Sequence, residues 1–132
     1  MANILHKDLC YQLYGLLFNV HNSLGGFCKH NQYCEALEVL LKENGIKYKR
    51  EIEVPIKFNK IRLAGNILDF LIDDKIVLDI KCKRYITKQD YVQMKRYLRA
   101  TENELGIIVN FSEKKIKPVR ILDKKHSDNI RK

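Results

Sequence analysis

Apolar residues recur at helical spacing along the first part of the chain. Leu5, Leu9, Leu13, Leu16, Leu17, Val20 and Leu24 form one stripe, which predicts a helix over residues 4–24. Tyr11, Tyr14 and Phe18 form a second face, assigned to the core rather than to a partner surface because wide apolar faces are common on packed helices. Gly25-Gly26 ends this helix. A second helix is predicted over 30–44, with Tyr33, Ala36, Leu37, Leu40 and Leu41 inward and Gly45 as its stop. The period then changes to two. Ile52, Val54 and Ile56 alternate with polar residues and read as a strand, with Pro55 on an edge. Residues 67–72 and 76–82 read as a strand pair, 88–101 as a third helix, and 106–110 and 117–122 as two more strands. The order ααβββαββ indicates an α/β or α+β domain with a mixed sheet.

The strand pair LDFLIDDKIVLDIK carries charges where apolar residues are expected. A three-residue loop, Asp73-Asp74-Lys75, would pair Ile72 with Ile76 and put Asp69 opposite Asp79. Cross-strand Cβ atoms lie about 4.5–5.5 Å apart, where like charges destabilise unless a cation sits between them. Strict alternation puts Leu68, Phe70 and Ile72 on one face, and Asp79 with Lys81 on one face of the next strand. Two carboxylates suit a hard divalent ion, and Lys81 can hold a phosphate oxygen or polarise a water. A D…D-x-K array thus fits phosphodiester hydrolysis. The same residues also fit an ordinary ion pair on a wet sheet face, worth under about 1 kcal/mol.

Composition narrows the class. The 132 residues fit one domain, 1–122, followed by a basic tail, 123–132. No run is apolar enough to span a bilayer and no signal peptide opens the chain, so no membrane partner is expected and a cytoplasmic location is. Cys10, Cys28, Cys34 and Cys82 have no disulfide spacing and read as reduced thiols. Cys28, His30 and Cys34, helped by His21, offer a zinc set of unusual spacing, disfavoured because one helix would turn the two thiols to different faces. The net charge of +9, from 25 basic and 16 acidic residues, favours an anionic partner, most commonly nucleic acid.

The segments VHNSLGGF, QYCEALEVLLKENGIKYKREIEVPI, LDFLIDDKIVLDIK, QMKRYL and LGIIVNF, taken in order and spacing, resemble the GxxExxY protein family, which is assigned to the PD-(D/E)XK nuclease superfamily. The likeness runs over about residues 8 to 122. It implies an α/β, restriction-endonuclease-like core: a central mixed β-sheet flanked by helices. It maps metal acids onto Asp69 and Asp79, with the Ile80 carbonyl as a further ligand, and the lysine onto Lys81. Gln93 and Tyr97 match a Q-x3-Y feature one helical turn apart, with Gln93 counted as catalytic; core packing is the competing reading for Tyr97. His21 belongs to a matching VHN segment, although a structural histidine at the helix end also fits. Mg2+ or Mn2+ is the implied cofactor. The implied partner is nucleic acid, DNA ahead of RNA, and a homodimer is allowed.

The namesake motif is broken. His30 stands where the family has Glu, and Phe27 where it has Gly, with Gly26 one residue early. At 100° per residue His30 projects with Tyr33 and Leu37, while Glu35 points the other way and cannot replace the acid. An imidazole is a poor Mg2+ ligand, so the expectation is a shift toward Mn2+, or a site that binds without efficient cutting. Two readings follow. One is a metal-dependent nuclease whose Lys83, Arg84, Lys95 and Arg96 contact the nucleic-acid backbone. The other is a weakened or inactive nuclease fold that binds nucleic acid, or docks on a protein through Tyr11, Tyr14 and Phe18.

Overall fold

The most apolar short runs, IVLDIK and LGIIVN, become the middle of the sheet. The computed structural model describes residues 5–123. Its elements are α1 (Lys7–Leu24), α2 (His30–Glu43), β1 (Tyr48–Phe58), β2 (Ile61–Ile72), β3 (Ile76–Lys81), α3 (Lys88–Thr101), β4 (Leu105–Asn110) and β5 (Val119–Leu122). The five strands lie in the order β1-β2-β3-β4-β5. β3 and β4 are parallel and the other pairs antiparallel. A parallel pair needs a long crossover, and α3 supplies it. Helices cover both faces, as the family resemblance implies.

Strands buried on both faces read as continuous apolar runs rather than as alternation. On one side, Leu13 and Leu17 of α1 and Tyr33 and Leu37 of α2 pack on Phe70, Leu78 and Ile107. On the other, Met94, Tyr97 and Leu98 of α3 pack on Val77, Ile108 and Ile121. Each fully buried large aliphatic side chain contributes roughly 1.5–3 kcal/mol. Gly106 lets α3 approach closely, since a Cβ there would overlap the Met94 thioether.

Several expectations are corrected. α1 starts at Lys7, because His6 takes a left-handed conformation with φ 51°. Tyr11 and Phe18 are 83% and 43% exposed, so of the second aromatic face of α1 only Tyr14 packs against the core. The helix packs through one stripe, Cys10, Leu13, Leu16, Leu17 and Val20. β1 and β2 are longer than predicted, because Asn59-Lys60, both at positive φ, make a tight two-residue hairpin that carries the strands past their apolar alternation. Pro55 lies on the edge strand β1, within a register shift between Val54 and Ile56. Across from it, a Cβ at Gly65 would sit 2.7 Å from the Val54 carbonyl oxygen.

Ile72 pairs with Ile76 as expected, but the β2–β3 ladder stops at Phe70–Leu78, one pair before the two acids. Alternation also slips there. Phe70 belongs to the α1/α2 core and Leu68 to the α3 core, not to one face. Glu51 of β1, at φ 53°, lies between the pairs Arg50–Phe70 and Ile52–Leu68 and marks the slip. β2 and β3 therefore open into a fork at Asp69 and Asp79. Asp123, the last described residue, is buried and donates its backbone N–H to the Glu104 carbonyl. The rest of the predicted tail lies outside the described residues.

Candidate active site

Asp69 fills the mouth of the fork. Its Oδ2 accepts the backbone N–H of Ile80 at 2.7 Å, standing in for the ladder bond lost there. Its Oδ1 lies 3.2 Å from His30 Nε2 at the start of α2. Asp79, 6% exposed, faces the α3 side. Burial, then a hydrogen bond shared with Asp69, raises its pKa to about 7 against the pull of Lys81. Asp79 Oδ2 is buried without a hydrogen bond; Lys81 Nζ, 3.1 Å away, meets it as an ion contact.

Lys81 is held from three sides. Its Nζ donates to Gln93 Oε1 at 2.9 Å and lies 3.7 Å from Asp90 Oδ1. Burial works against the ammonium, but the charges of Asp79 and Asp90 outweigh it and raise the pKa. Gln93 thus sits at the site. Tyr97 is buried in the α3 core beside it; burial, then the Asp79 charge, raises the phenol pKa. Ile80 occupies the strand position between the acid and the lysine.

Two residues at the site escaped the sequence reading. Asp90 is buried and accepts from the Thr87 backbone N–H at 2.7 Å, from Lys83 Nζ at 2.9 Å and from the Thr87 hydroxyl. Burial opposes its charge, but the Thr87 bond and the two lysines lower its pKa overall. The signal was present, as T-x-x-D is a helix-capping pattern. Asn110 at the end of β4 bonds both backbone groups of Lys83, 3.1 Å through Oδ1 and 2.7 Å through Nδ2, and so fixes the strand end that carries Lys81. One buried Asn in a strand carries no sequence signal of that kind.

Other predicted residues fall elsewhere. His21 stacks on Phe111, and its Nε2 bonds the Glu113 carbonyl at 2.9 Å, which is a structural role at the end of α1. The four basic residues do not form one track. Lys83 is paired to Asp90, Lys95 donates to the Leu122 carbonyl at 2.6 Å, Arg84 lies over the Tyr85 ring, and Arg96 lines a groove with Pro55 and Lys57. The zinc set does not assemble as written. Cys28 is bonded to the Leu24 carbonyl and His21 is committed to Glu113. His30 and Cys34 do meet, and their third neighbour is Asp69. Burial, then the nearby Asp69 charge, pushes the Cys34 thiol up to about 12. Glu35 is exposed, as its place on the helix predicts. Tyr33 donates to the Gly25 carbonyl at 2.5 Å and stacks on Phe111, tying the α1–α2 turn to the sheet.

The family model described as PD-(D/E)XK nuclease superfamily matches residues 7–121. No curated protein matches the chain. Among solved structures, the crystal structure of SSO0001 is similar, with a TM-score of 0.57 at 23% identity over 76% of this chain. That likeness is one of fold. The match covers 54% of SSO0001, so this chain spans about half the length of that protein. No helix among the described residues is long and apolar enough to cross a membrane.

Proposed function

Because the chain belongs to the PD-(D/E)XK nuclease superfamily, we propose that it is a divalent-metal-dependent nuclease that hydrolyses phosphodiester bonds in nucleic acid, DNA ahead of RNA, and that it lies in the GxxExxY branch. The observation that carries this reading is the convergence of Asp69 and the buried Asp79 beside Lys81, whose Nζ lies 3.1 Å from Asp79 Oδ2. Two carboxylates held side by side are unfavourable as a charged pair unless a cation offsets them. Two adjacent carboxylates fit Mg2+ or Mn2+, and Asp69, Asp79 and the Ile80 carbonyl are the groups that would hold it. The ion would supply Lewis acidity at the phosphate and a lowered water pKa.

The protein's own residues do the rest. Lys81 stays protonated and aims its ammonium into the fork, where charge builds up on the phosphate oxygens. Gln93 and Asp90 fix that ammonium, so it loses little orientational freedom on binding. Cleavage of labelled single-stranded DNA, duplex DNA and RNA, each with Mg2+ or Mn2+, tests the proposal. Activity in the wild type that disappears in Asp79→Ala is the expected result. A folded wild type that cuts none of the three sinks it.

One observation favours a second reading, a nuclease fold that binds without cutting: both oxygens of Asp69 already have protein partners, His30 and the Ile80 N–H. His30→Glu separates the two. The added carboxylate returns an acidic, hard ligand beside Asp69, so Mg2+ affinity measured by calorimetry is expected to rise about tenfold, and the Mg2+/Mn2+ activity ratio with it. An unchanged Mg2+ affinity removes His30 from the explanation.

A further inference from the structure

His30, Cys34 and Asp69 each present one ligand atom, and the three atoms lie within 4.8 Å of one another. Cys34 Sγ is 3.8 Å from His30 Nε2, and that nitrogen is 3.2 Å from Asp69 Oδ1. Zinc bonds of about 2.3 Å to sulfur and 2.0–2.2 Å to nitrogen and oxygen require ligand atoms about 3.4–3.6 Å apart in a tetrahedron. Two edges of a tetrahedral face are thus near the required length; Cys34 Sγ is also 3.9 Å from His30 Nδ1, so the imidazole must turn to aim Nε2 at a shared ion. His30 and Cys34 are one helical turn apart on α2, so the backbone fixes two of the three donors. The His30 side chain is 47% exposed and gives an ion a way in. The donor set is N, S and O. Thiolate and imidazole select borderline and soft ions over Mg2+, which prefers oxygen.

We propose that His30, Cys34 and Asp69 form a Zn2+ site that inhibits the enzyme, because it takes Asp69 away from the Asp69–Asp79 pair. The inhibitory half rests on the nuclease reading above; the binding half does not. Binding expels the thiol proton to solvent, leaving a thiolate on the ion. A water completes the fourth position on the open side. The two sites share one carboxylate, whose Oδ2 is already held by the Ile80 N–H, so an ion on Oδ1 competes with one held by the Asp69–Asp79 pair.

The test uses the full chain and the metals alone. Co2+ replaces Zn2+ as a spectroscopic probe, since a thiolate ligand gives a sulfur-to-cobalt charge-transfer band. The band is expected in the wild type and in Asp79→Asn. It should disappear in Cys34→Ser and Cys34→Ala, with Zn2+ affinity down by more than about 100-fold. Cys34 is buried, so His30→Ala, altered at a half-exposed position, provides a variant that keeps the fold; its Zn2+ affinity should fall comparably. No band in the wild type overturns the site. A band that survives Cys34→Ser also overturns it, since Cys28 or Cys82 would be the source. Competition is read without catalysis: Zn2+ should release bound Mn2+, seen by electron paramagnetic resonance, in the wild type but not in Cys34→Ser. Zn2+ and Mn2+ bound together would overturn the inhibition while leaving the zinc site standing. A failed nuclease assay leaves both readouts intact.

Discussion

Replacing Lys81 with methionine is expected to lower the single-turnover cleavage rate by about 10²–10⁴-fold while changing Mn2+ affinity by less than about tenfold. Methionine keeps most of the stem's volume and removes only the ammonium. That ammonium sits 3.1 Å from Asp79 and 2.9 Å from Gln93 at the mouth of the fork. It is not a metal ligand, so its loss should fall on rate. Single-turnover kinetics and a calorimetric Mn2+ titration of the same preparation check the split. A variant that loses metal binding and activity together would mean that Lys81 only balances the acids. A variant that cuts at the wild-type rate would remove it from the mechanism. Gln93→Ala should give a smaller loss in the same direction, because Asp90 and Asp79 still hold the lysine.

The second large effect is on stability, and its sign is the unusual one. Asp79→Asn should make the metal-free protein more stable at pH 8 by on the order of 2–4 kcal/mol. The folded-state pKa of Asp79 is about 7, raised mainly by burial, against about 3.9 in an unfolded chain. Below about pH 4 both states hold the proton and nothing is lost. Between about pH 4 and 7 the folded chain keeps the proton and the unfolded chain has released it. Unfolding then releases a proton, and stability falls as pH rises. Above about pH 7 the whole penalty is present. Urea denaturation of both proteins from pH 4 to 8 should show curves that meet at the acid end and separate toward the alkaline end. Added Mn2+ should reverse the ranking, because only the wild type gains from binding it. A wild type whose stability is flat over that range would contradict the raised pKa.

Much of the architecture was legible because its cause is local. The third helix is expected over residues 88–101, and α3 falls on those residues. The Ile72–Ile76 pairing followed from the length of one polar turn. What escaped depends on contacts between distant segments. Strict alternation puts Leu68 with Phe70, but the two side chains join different cores, with the left-handed Glu51 lying between their partners on β1, and no residue near Leu68 announces it. Tyr11 and Phe18 looked like core because a helix sequence states which residues are apolar and not how much of the surface its neighbours cover. The basic residues were chosen by type alone, and Asp90 and the Leu122 carbonyl had already engaged two of them. Asp69, Asp79 and Lys81 stand out in the sequence because paired acids and a lysine in a strand are costly and therefore conspicuous, whereas Gln93 is pointed to only by the family resemblance. Cys34 meets His30, as the sequence set has it, but its third neighbour is Asp69 rather than Cys28 or His21, since that meeting depends on how α2 lies against the fork.

The β1–β2 hairpin has one more consequence. β2 pairs with β3 over only three residues, Phe70 to Ile72, yet with β1 along nearly all its length. Beyond the Gly65 shift, the hairpin is an arm that joins the rest of the sheet only at its root, although Pro55, Ile56 and Lys57 still line a groove with Arg96, Arg99 and Ala100 of α3. Insertions or deletions at Asn59-Lys60 would lengthen or shorten that arm without moving Asp69, since the register is reset at the shift. In evolution, length change is therefore expected to concentrate there. On the proposed nuclease reading, the arm is the part of this fold most open to acquiring new substrate preferences while the acids at its base stay the same.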